Sequence, residues 1–65
     1  MTSIQLFYYN SRLHPESWQA HYNLGYAYKE DGEISLGRKY LFKAQELNPD
    51  NEDIIRLFSE ISNIE

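Results

Sequence analysis

At 65 residues with no cysteine, the chain makes one small domain that buries only about 60% of its unfolded surface, with neither disulfides nor thiolate metal ligands to support it. A net charge of −4 argues against nucleic acid, which needs a clustered excess of Lys and Arg, no apolar run approaches the ~20 residues of a membrane span, and the Met1 segment lacks the basic and apolar regions of a secretory signal. A soluble, cytoplasmic protein without membrane insertion is expected, its charge unevenly spread: residues 1–45 carry five basic and four acidic side chains, net +1, whereas residues 46–65 carry six acidic side chains against Arg56 alone, net −5.

The first helical pattern runs from Ile4 to Leu13, with Ser3 as its N-cap and Phe7, Tyr8 and Tyr9 as a broad aromatic flank. It stops at His14, because Pro15 disfavours helical backbone in the residue before it. Ser17 then caps a second helix from Trp18 to about Glu30, in which Ala20, Leu24, Ala27 and Tyr28 follow the helical period. Asp31-Gly32 closes it, since Gly accepts the left-handed conformation common just past a helix end. The next helix starts only two or three residues later, at about Ser35, so the pair must form an antiparallel hairpin.

The third helix, about Ser35 to Leu47, sets Leu36, Tyr40, Leu41, Ala44 and Leu47 on its inner side and Arg38, Lys39 and Lys43 in a solvated basic stripe. Asn48-Pro49 ends it by the mechanism of His14-Pro15. Asp50 or Asn51 caps a fourth helix, about Glu52 to Asn63, where Glu52 and Asp53 suit the positive end of the helix dipole. Its apolar arc of Ile54, Ile55, Leu57, Phe58, Ile61 and Ile64 is wide for a helix facing water.

Leu13-His14-Pro15 recurs as Leu47-Asn48-Pro49, a displacement of 34 residues. The same shift lays Leu6, Phe7 and Tyr8 on Tyr40, Leu41 and Phe42, and Ala20, Leu24 and Ala27 on Ile54, Phe58 and Ile61. Gly25 falls on Ser59, small upon small. Few residues are identical, so the match lies in packing constraints. Gly25 sits mid-helix, where it costs about 1 kcal/mol relative to Ala, and close approach of the next helix explains it. Gly37 has a weaker reason of this kind, so Gly37→Ala is expected to stabilise the fold by up to ~1 kcal/mol.

Leu24, Gly25, Tyr28, Leu41, Ala44 and Pro49 together resemble the pattern of a tetratricopeptide repeat, and Asn23, Ala27, Gly32 and Leu47 also match residues frequent in that family. Two positions depart from it: His21 stands for the usual Trp, with Trp18 one turn earlier, and Gly37 for the usual Ala. The resemblance is strong over residues 18–51 and weak on both flanks. It implies an all-α, antiparallel helix-turn-helix repeat of about four helices, an α-solenoid fragment. Residues 1–17 would be the second helix of a preceding repeat, 18–51 a complete repeat, and 52–65 the first helix of a following one. Such repeats bury their faces by stacking, so the end helices would be left wanting partners, either from a longer array or from a second copy of the chain.

Catalysis finds little support. His14 and His21 are separated by Pro15 and a helix start, so they are not a same-face metal pair, and Glu46, Asp50, Glu52 and Asp53 lack the spacing of a calcium loop. No serine carries a glycine motif or a base with its orienting partner, and Gly25, Gly32 and Gly37 are too scattered to cradle a phosphate. A non-enzymatic protein with no cofactor and no metal is expected. The family resemblance implies a concave helical face that binds a peptide or protein segment. Carried over by position, that face would hold Gln19, Tyr22, Asn23, Tyr26 and Lys29 from the second helix and Asp53, Arg56 and Glu60 from the fourth. Tyr22 and Tyr26 lie four apart, so they present adjacent rings with hydroxyls, and Tyr22→Ala with Tyr26→Ala is expected to weaken binding while leaving the helices intact. A clamp for a terminal carboxylate is disfavoured, since of its positions only Asn23 matches while Tyr22, Tyr26, Asp53 and Leu57 do not. The alternative is a structural module that forms a homo-oligomer through its end helices.

Overall fold

Local hydrogen bonding defines where each helix begins. The computed structural model describes residues 2–64, and the side chains of residues 2–63. It contains four α-helices, α1 (Ser3–Leu13), α2 (Trp18–Glu30), α3 (Ile34–Leu47) and α4 (Glu52–Ile64), and no strand among the described residues. The chain is all-α, and among the described residues no helix is long and apolar enough to cross a membrane.

The α1 cap lies one residue earlier than the sequence suggests. Thr2 Oγ1 accepts from the Gln5 amide at 3.1 Å while Gln5 Oε1 accepts from the Thr2 amide at 2.9 Å, a reciprocal pair that Ser3 has no side chain three residues on to match. Ser17 caps α2 as expected, its hydroxyl accepting from the Ala20 amide at 3.4 Å. Asn51 rather than Asp50 caps α4, its side-chain oxygen accepting from the Ile54 amide at 3.1 Å. Between α2 and α3, Gly32 takes a φ of 83°, and the Glu33 and Gly32 amides return to the carbonyls of Tyr28 and Lys29 at 2.9 and 3.1 Å. That turn is tight enough to start α3 at Ile34, ahead of Ser35 and without a side-chain cap.

The two proline turns repeat each other. His14 and Asn48, 34 residues apart, adopt nearly the same backbone, φ −130° and ψ 66° against φ −146° and ψ 74°. In each turn the amide three residues on, Ser17 or Asn51, donates back to that residue's carbonyl and its side chain then caps the next helix.

Helices α2 and α3 form the most extensive interface, and they run antiparallel: Lys29 lies beside Gly37, whereas His21, earlier in α2, meets Tyr40, later in α3. At the crossing the backbones nearly touch. A methyl group added at Gly25 would stand 2.9 Å from Leu41 Cγ and 3.0 Å from the Gly37 carbonyl oxygen, and one added at Gly37 would stand 3.0 Å from the Gly25 carbonyl oxygen and 2.8 Å from Ile61 Cδ1. Gly37 therefore has the same steric reason as Gly25, which argues against the expectation that Ala would be better there. To one side, the Tyr40 ring stacks with both His21 (centroids 6.4 Å apart, planes at 13°) and Tyr28 (5.7 Å, 19°). His21 is buried, its Nε2 donating to the Pro15 carbonyl at 2.9 Å, so it packs the hairpin in the place where the repeat pattern has Trp.

Leu24, Leu41, Ile54 and Ile61 are fully buried, joined by Ala20, Tyr40, Ala44 and Leu57. Because α3 turns Gly37 and Ala44 toward its neighbours, Leu36 and Leu47 fall about a quarter-turn away, by the 100° advance per residue of a helix, and are exposed rather than inward. The basic stripe is likewise not wholly solvated: Arg38 is half-buried, and Lys39 and Lys43 place their ammonium groups 5.6 and 5.3 Å from the centre of the Tyr40 ring. The arc on α4 is largely used within the chain, since Ile54, Leu57 and Ile61 are buried and Phe58 packs beside them. Ile55 remains 47% exposed; the Ile64 side chain lies outside the described residues.

Gly37→Ala should lower the melting temperature. The ~1 kcal/mol that Ala adds through helix propensity is outweighed by the roughly 1–3 kcal/mol of an overpacked crossing where the obstacle is backbone. Thermal unfolding followed by circular dichroism checks this, and a variant that melts higher would show that the helices can separate without loss.

Candidate functional site

Helix α2 also touches α4, and these two run in the same direction: Tyr22 lies level with Asp53 near their starts, and Lys29 with Glu60 further along. The 4-3 spacing of Tyr22, Tyr26 and Lys29 on α2 and the 3-4 spacing of Asp53, Arg56 and Glu60 on α4 each keep three side chains on one helical face. Those faces meet around a hollow of about 260 Å³, with Leu57 as the remaining lining residue.

Six of the eight residues assigned from sequence, Tyr22, Tyr26, Lys29, Asp53, Arg56 and Glu60, thus come together. Gln19 and Asn23 do not. Both are exposed outside the hollow, and Gln19 Oε1 accepts a hydrogen bond from the Ser17 hydroxyl at 3.1 Å, which draws it into the start of α2. Leu57 went unassigned as a groove residue, although its place four after Asp53 and three before Glu60 sets it on the same face.

Lys29 links the two walls. Its ammonium lies 3.5 Å from Glu60 Oε2 and 5.7 Å from the centre of the Tyr26 ring. Arg56 Nη1 donates to Asp53 Oδ1 at 3.3 Å, within α4 and well exposed. The Arg56–Asp53 pair, with both side chains 65% exposed, contributes at most about 1 kcal/mol and exchanges readily for a charged group from outside, whereas the Lys29 side chain is only 18% exposed. The two tyrosines differ. Tyr26 is 44% exposed, its ring standing between this hollow and a second one formed with Ile4 and Phe7 of α1. Tyr22 is half-buried against the cluster of Leu41, Leu57 and Ile61, and Trp18 meets it edge-on at 6.0 Å.

Such a surface offers hydrogen bonds, exchangeable charges and an aromatic face, which suits recognition. Among the described residues no group of three or more His, Asp and Glu side chains is placed to hold a metal ion. Compared with known proteins, the chain matches no family profile, no curated protein and no solved structure.

Burial raises the Tyr22 hydroxyl above its ordinary value of 10.0, with the neighbouring Asp53 adding to the effect, and burial raises Tyr40 in the same direction. A folded-state value above the unfolded one means that the stabilisation is complete below pH 10.0 and is lost as pH rises through the folded-state values. Helicity should therefore decline on alkaline titration above that point, and less steeply in a Tyr22→Phe variant, which has no proton to lose there.

Proposed function

We propose that this chain is a non-enzymatic protein-interaction module of tetratricopeptide-repeat type, whose α2–α4 groove binds an extended peptide or protein segment. One observation carries the reading: two parallel helices bring Tyr22, Tyr26 and Lys29 against Asp53, Arg56 and Glu60 around a single hollow. The repetition of the proline turn and its cap after 34 residues supports the repeat assignment, since it is the backbone counterpart of the sequence period. Tyr26 has the properties of an interface anchor, a rigid ring with a polar end, accessible but held in place.

Because Tyr22 packs against the core, replacing it by Ala would cost stability as well as contact, so the pair of tyrosines is not a clean test. Tyr26→Ala is the better variant. A peptide selected from a random library should shift the amide resonances of Tyr26, Lys29, Arg56 and Glu60, and Tyr26→Ala should weaken its binding about tenfold with the melting temperature within a few degrees of the parent. Selected peptides that map to other faces would remove the groove from consideration.

A second reading, self-association, is favoured by one specific observation. Leu6, Tyr9 and Leu13 share the outward face of α1 and are 53%, 60% and 56% exposed, an apolar stripe without a covering element. On that reading Leu6→Glu with Leu13→Glu turns an oligomer into a monomer in sedimentation equilibrium; a parent chain already monomeric at high concentration would eliminate it.

A further inference from the structure

Away from the groove, α1, α2 and α3 enclose a cleft of about 450 Å³ that shares none of the groove's lining residues. Its walls are Tyr8, Ser11 and Arg12 of α1, Pro15 of the connecting turn, His21 of α2, and Lys39, Tyr40 and Lys43 of α3. In a chain of net charge −4, three permanent cations and no carboxylate line this one depression. Among the described residues none of the three is ion-paired. Glu46, across an adjoining hollow that it lines with Lys43, is the carboxylate close at hand, and it makes no ion pair with that lysine.

Three features set the cations for a ligand. Lys39 and Lys43, four apart on one helix face, repel each other, and the Tyr40 ring lying within 6 Å of both ammonium groups holds them together. Arg12 is positioned by Tyr8, its carbon 6.0 Å from that ring's centre and its Nη1 donating to the Tyr8 hydroxyl at 3.4 Å. His21, only 6% exposed, donates from Nε2 to the Pro15 carbonyl, which leaves Nδ1 as a buried nitrogen with no hydrogen-bond partner. The donors thus converge from two helices that do not otherwise pack on each other, and among the described residues the like charges have no counter-ion.

We propose that this cleft binds a phosphate monoester, carried on a phosphorylated side chain or present as free phosphate. A phosphoryl group carries close to two negative charges at neutral pH and has three strong acceptor oxygens, enough to meet Arg12, Lys39 and Lys43 at once, whereas a carboxylate has one charge and two oxygens. Its binding relieves the Lys39–Lys43 repulsion. The proposal is independent of the α2–α4 groove.

Amide and side-chain resonances are followed while phosphoserine, inorganic phosphate or serine is added at constant ionic strength. Saturable shifts are expected at Arg12, His21, Lys39, Tyr40 and Lys43, absent from Tyr26, Lys29 and Arg56, and absent with serine. Tighter binding of phosphoserine identifies a phosphorylated side chain as the source, and tighter binding of phosphate identifies the free ion; both uphold the site. Lys39→Gln with Lys43→Gln, exposed positions whose replacement keeps the apolar stems, should weaken binding at least about tenfold, as expected for lost charge-assisted hydrogen bonds. Shifts that fail to saturate, that equal those caused by chloride, or that survive in the double variant overturn the proposal.

Discussion

The contact on which the molecule depends is the crossing of α2 and α3 at Gly25 and Gly37. Each glycine places its Cα against the other's carbonyl, with Leu41 on one flank and Ile61 on the other, so there is room for hydrogen and no more. In a chain this small the spacing of one helix pair sets everything else. If the helices stood farther apart, Tyr40 would no longer stack with His21 and Tyr28, and Ile61 would lose the surface that seats α4. Two glycines in helix interiors are poor choices by propensity, and both are explained by the interface they permit.

Seating α4 on that crossing is also what creates the groove. Leu57 and Ile61 bind α4 to Leu41 of α3, and this brings the opposite edge of α4 alongside α2, where Lys29 reaches Glu60. The groove's charged residues are therefore a consequence of packing they do not themselves cause. The exposed Arg56–Asp53 pair adds little stability, which leaves it free to exchange with an outside charge.

The hairpin divides the chain's surface into regions of different electrical character. Toward α4 lies a mixed surface with two carboxylates, a lysine and an arginine beside two phenols. Toward α1 lies a cleft in which cations stand around Tyr40, without counter-ions among the described residues. Neighbours in sequence serve different sides: His21 lines the cleft and Tyr22 the groove, a consequence of the 100° step of the helix. The exposed stripe of Leu6, Tyr9 and Leu13 is a third region, apolar and distinct from both.

What was legible in the sequence is what depends on near neighbours. Helix number and type, the proline stops, the Asp31-Gly32 turn, the cap at Ser17 and an α4 cap at Asp50 or Asn51 all follow from hydrogen bonds spanning a few residues, and even the misplaced α1 cap is off by one position. The joint facing of Tyr22, Tyr26 and Lys29 follows from helical spacing alone. Tertiary structure decided the rest, because it depends on how each helix is rotated about its axis and what comes to lie across from it. That rotation exposes Leu36 and Leu47, gives Gly37 its necessity, leaves Gln19 and Asn23 outside the groove and draws Leu57 in. It also turns a lysine stripe that reads as solvated into one wall of a cleft, since Arg12 and His21 reach that wall only through the packing of three helices.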